Sequence, residues 1–150
     1  MQVTVETTIA APPDVVFATM TDVARWPEFI RSVERMEMLT DGAVRVGTRF
    51  RETRTMFGRS ASEEMTVAEL SSPHRLVLTA ENHGTRYVAT HVVTPAPNSA
   101  RLALTFAGTP VSVAARLFGV IGLMFMGTVR RKLEDDLTQV KAEAERRALA

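Results

Sequence analysis

Residues 102–144 read LALTFAGTPVSVAARLFGVIGLMFMGTVRRKLEDDLTQVKAEA, and the spacing of apolar residues changes partway along them. Leu102, Leu104 and Phe106 alternate with small or polar residues, the period of a half-buried strand. Gly108-Thr109-Pro110 ends that pattern. Beyond it Met126, Val129, Leu133, Leu137, Val140 and Ala144 recur at three and four residues, one stripe along a helix. The tail KAEAERRALA is made of good helix formers. One long helix is expected from about residue 111 to 147, with Gly119, Gly122 and Gly127 bending or breaking its first half. A chain that closes on such a helix needs a sheet for it to cross.

The residues before it supply one. Val3, Val5 and Ile9 suggest a first strand over 2–10. Ala11-Pro12-Pro13-Asp14 then starts a helix carrying Val15, Val16, Phe17 and Met20. It stops near Thr21-Asp22, and a second short helix runs from Asp22 toward Ile30, interrupted or restarted at Pro27. Val33 to Leu39 reads as a strand closed by Asp41-Gly42. Val46 to Phe57 and 59–70 form a hairpin about Gly58. Leu76, Leu78 and Ala80 form the next strand, stopped by Asn82-His83-Gly84. Residues 85–94 return, and Pro95-Ala96-Pro97-Asn98 turns into the last strand. This order gives an α+β chain: a run of antiparallel hairpins, two short helices after strand 1, and a long C-terminal helix.

The 150 residues are expected to form a single domain. Eighteen Lys and Arg against 17 Asp and Glu leave a net charge of +1, which argues against a dedicated nucleic-acid binder. The absence of Cys excludes disulfides, thiolate metal sites and cysteine nucleophiles. Three scattered His lack the paired spacing of a zinc site, so no metal and no cofactor are expected. His74 and His83 read as turn residues. No nucleophile elbow, P-loop or dinucleotide fingerprint is present. The start MQVTVE has neither the basic nor the apolar region of a secretory signal, so a cytoplasmic location is expected. The uncharged run 117–129, LFGVIGLMFMGTV, is shorter than the roughly 20 residues of a membrane span and reads as a buried helix, with a membrane-surface helix as the weaker reading.

Several stretches carry a closer likeness. IAAPPDVVFATMTDVARWPEF at 9–29, LTDGAVRVGTRFRETR at 39–54, VAELSSPHRLVL at 67–78 and RRKLEDDLTQVKAEAE at 130–145 resemble the START-like (SRPBCC) superfamily, in its polyketide cyclase/dehydrase-like branch. The resemblance spans nearly the whole chain. It implies a helix-grip fold, a curved antiparallel sheet of about seven strands wrapped around the C-terminal helix. It also implies an apolar cavity between them that takes lipids, isoprenoids, hormones or polyketides. No universal catalytic residues come with it, so fold alone does not assign an activity.

Strand parity nominates residues that face such a cavity. Val46, Phe50 and Met56 mark one face of their strand, with Glu52 and Arg54 on it. Met65 and Val67 bring Glu63, and Ala89 and Val93 bring Tyr87 and His91. A one-residue slip would reverse any of these assignments. Three readings stand for the polar set. Glu52, Arg54 and Glu63 form a salt-bridge network in the sheet; or the set orients a ligand in an apolar pocket; or His91 or Glu63 moves a proton, with Tyr87 donating a hydrogen bond and Arg54 polarising a carbonyl. Trp26, Phe29 and Ile30 either anchor the helix junction to the sheet or touch ligand at the cavity mouth. Gly119 and Gly122 continue the helical stripe of Met126 where Leu would otherwise pack, leaving room for a ligand or for the small helices. The arginines at 45, 49, 51, 54 and 59 make one hairpin locally basic, read as a solvated face balanced by nearby Glu.

The expected role is binding of a small hydrophobic molecule, as carrier or sensor, by a monomer or homodimer. A polyketide cyclase/dehydratase-type enzyme using the same cavity is the alternative. A membrane- or protein-interacting chaperone-like module is the third.

Overall fold

A computed structural model of the chain describes residues 1–56, 58–117 and 126–150, with the side chains of all but Met56 and Leu117. Seven strands form one antiparallel sheet: β1 (Gln2–Ile9), β2 (Val33–Met38), β3 (Arg49–Met56), β4 (Arg59–Ser71), β5 (Arg75–Asn82), β6 (Thr85–Ala96) and β7 (Ser99–Pro110). Their order across the sheet is β1-β7-β6-β5-β4-β3-β2. Every neighbour after β1 is a sequential hairpin, and β1 closes on β7 with Val5 opposite Leu104. The described residues also form the helices α1 (Pro13–Thr21), α2 (Trp26–Phe29), α3 (Val113–Leu117) and α4 (Met126–Leu149). This is the expected helix-grip architecture.

The local signals explain most boundaries. Pro12 caps α1 in extended conformation and Pro13 opens it, where a missing N–H costs nothing. The second short helix is split: Val23–Arg25 forms a 3-10 turn, and α2 begins at Trp26 with Pro27 in its first turn. The third strand begins at Arg49, not Val46. Gly47 has φ +94, a conformation that favours glycine, and its N–H donates to the Val67 carbonyl at 2.8 Å. Val46 therefore lies in a turn, 61% exposed, and does not mark the inner face. The expected helix over 111–147 is present in two described parts, α3 and α4. Most of the uncharged run 117–129, including Gly119 and Gly122, lies outside the described residues. Among the described residues, no helix is long and apolar enough to cross a membrane.

The core lies on the inner face of the sheet. Leu76, Leu102, Val67 and Val93 are fully buried there, in one core cluster with Val16, Phe17 and Met20 of α1. α4 lies lengthwise along β1 and α1. Its C-terminal half is the more buried: Leu137, Val140 and Ala144 are core residues, while Leu133 and Met126 only flank it. Glu145 accepts a hydrogen bond from the Ala10 N–H at 3.0 Å, and Arg147 donates to Asp22 at 2.9 Å. The C-terminal end of α4 is thereby tied to the end of β1 and to α1.

Candidate functional site

The inner face is not filled evenly. On β6 burial falls from Val93 through His91 to half-buried Ala89 and Tyr87. On β5 it falls from Leu76 and Leu78 to Ala80, on β7 from Leu102 and Leu104 to Phe106, and on β4 from Val67 to Met65 and Glu63. α4 follows the same trend toward Met126. Registry aligns these positions, with Ala89 opposite both Leu78 and Phe106. One end of the interior is thus closed by α1 and α2. Among the described residues, those at the other end, near the β5–β6 turn and α3, are only half-buried. The Gly84 carbonyl accepts the Val111 N–H at 2.8 Å, which seats the start of α3 on that turn.

Trp26 and Phe50 belong to the closed end. They meet edge to face at 6.0 Å, and the Trp26 indole N–H donates to the Met20 carbonyl at 3.1 Å. Trp26 thus anchors the helix junction to the sheet. Phe29 is half-buried, with the Arg147 guanidinium 5.6 Å from its ring centre. Tyr87 belongs to the open end, stacked on Phe106 at 5.5 Å and lying over Gly108.

A polar cluster sits between the ends. Arg54 donates to both oxygens of Glu52, at 2.6 and 3.3 Å, and to Asp136 Oδ2 at 2.6 Å. It also donates to Ser32 Oγ at 2.9 Å, and Ser32 donates to Asp136 Oδ1 at 3.2 Å. The cluster joins β3 to α4 across the interior. Glu52 is only 3% exposed. Burial by itself would lower the Arg54 pKa, but the Glu52 and Asp136 carboxylates outweigh it and raise it, so the guanidinium stays charged.

The expected network of Glu52, Arg54 and Glu63 is therefore real in part. Its second carboxylate is Asp136, not Glu63. Strand parity could not nominate Asp136, which lies on a helix; it sits three residues after Leu133 and four before Val140, on the apolar stripe. Ser32 sits in a connection and gave no sequence signal. The outward arginines are balanced as expected of a solvated face, Arg49 by Glu64 at 3.0 Å and Arg51 by Glu37 at 2.9 Å.

Glu63 lies directly opposite Glu52 in the β3–β4 register. Burial and the Glu52 charge push its pKa up, with Arg54 partly opposing them. Raised above its unfolded value, Glu63 contributes stability that is present at low pH and lost as pH rises through the folded pKa. Glu63→Gln is accordingly expected to be more stable than the wild type in urea at pH 7 and to match it near pH 4. A variant less stable at pH 7 would contradict this placement.

His91 faces Leu76 and Leu104 across its two neighbouring strands and is 8% exposed. Burial lowers its pKa to about 4, against the nearby Leu76 and Ala89 backbone, which favours the proton; the Arg54 charge lowers it further. The imidazole is neutral at pH 7. Its Nδ1 is buried with no hydrogen-bond partner, so no carboxylate or hydroxyl among the described residues activates it there. Glu52, Arg54, Glu63, Tyr87 and His91 do share the inner face, but Tyr87 stands at the open end and His91 at the margin of the filled core.

The family model described as polyketide cyclase / dehydrase and lipid transport matches residues 1–145. Among solved structures, the chain is similar to the Zhui aromatase/cyclase from Streptomyces sp. R1128, with TM-score 0.82 and 19% identity over 98% of this chain and 94% of that one. It is also similar to TTHA0849 from Thermus thermophilus, with TM-score 0.76 and 20% identity over 96% of this chain and 97% of that one. A third is the di-domain aromatase/cyclase StfQ of the steffimycin pathway, with TM-score 0.76 and 18% identity over all of this chain and 53% of that one. At these identities the likeness is one of fold. No functionally curated protein matches the chain.

Proposed function

The chain belongs to the polyketide cyclase/dehydrase and lipid transport family, and from that premise we propose that residues 1–150 act as one domain that binds a small hydrophobic molecule between the inner face of the sheet and α4. The observation that carries this reading is the shared direction in which burial falls along β4, β5, β6, β7 and α4. A core built only for stability would fill both ends. Here Met65, Ala89, Tyr87 and Phe106 form a half-covered apolar wall with a few polar groups beside it, the usual make-up of a small-molecule site. Met65 and Met126 suit that wall, because unbranched thioethers adapt to irregular shapes.

Titration with the neutral fluorophore N-phenyl-1-naphthylamine tests the reading. The wild type is expected to bind it saturably at one site. Ala89→Trp, which places an indole between Leu78 and Phe106, is expected to weaken binding at least about tenfold, or 1.4 kcal/mol. Ala89→Leu, a smaller intrusion, serves where the indole disrupts folding. No saturable binding to the wild type, or equal binding by folded variants, would contradict the reading.

A second reading, acid–base catalysis of the cyclase/dehydratase type in the same interior, draws on Glu63. A half-buried carboxyl with a raised pKa beside a second carboxylate is a general-acid arrangement. It predicts that Glu63→Gln keeps the fluorophore site and loses cyclisation or dehydration of a poly-β-ketone.

A further inference from the structure

We draw no further inference here: the strongest candidate, the exposed apolar surface patch of Val111 and Val113 at the start of α3, borders the site already described, and nothing among the described residues shows what covers it.

Discussion

Arg54→Met is expected to destabilise the protein by about 3–5 kcal/mol, the cost of breaking a buried ion pair. Arg54 is the partner shared by Glu52 and Asp136 in the cluster. Methionine keeps most of the side-chain volume and removes the charge, leaving two buried carboxylates close together with only Ser32, among the described residues, to bond one of them. For a chain of this length, that loss corresponds to a fall in Tm of roughly 10 °C. Urea unfolding at pH 7 measures it. The triple variant Arg54→Met, Glu52→Gln, Asp136→Asn should recover much of the loss, because the penalty lies in the uncompensated charges. Arg51→Met, which breaks the exposed pair with Glu37, provides the contrast and should cost about 0–1 kcal/mol. Equal effects at positions 51 and 54 would mean that the cluster does not hold β3 to α4.

The second large effect is a loss of stability in acid that belongs to His91. Its pKa is about 4 in the folded chain and 6.5 when unfolded. Below pH 6.5 the unfolded chain takes up a proton that the folded chain refuses, so stability falls as pH drops from 6.5 to about 4 and levels off below that. Over this window the imidazole accounts for about 3 kcal/mol. Other carboxylates titrate in the same range. The informative quantity is therefore the difference in urea stability between wild type and His91→Leu, followed from pH 7.5 to 4. That difference should widen by about 3 kcal/mol in favour of the leucine variant. A difference that stays constant with pH would place the imidazole in contact with water.

Alternation and helical spacing are enough to read the fold, because both signals are local. The phase of Phe50, Glu52 and Arg54 holds in the structure, as does that of Ala89, His91 and Val93. The phase fails at Val46, where Gly47 turns the chain before β3 begins. The site is less legible, since its parts meet only through tertiary packing. Asp136 sits among Glu134 and Asp135 in a charged run, and only the three-and-four spacing sets it apart from them. The unpaired nitrogen of His91 depends on what Leu76 and Leu104 place opposite it, which no local pattern contains. Trp26 is open to two readings until its indole N–H meets the Met20 carbonyl. Gly119 and Gly122, whose spacing suggests an opening in the helix stripe, lie outside the described residues. The case for an opening rests instead on burial along the strands and α4.

Native mass spectrometry of the protein purified from its own host tests the binding claim most directly. A population heavier than the bare chain by the mass of one small molecule is expected, and it should be lost in Ala89→Trp. A wild-type protein that flies only at the mass of the bare chain, and takes up no N-phenyl-1-naphthylamine when it is supplied, would contradict it.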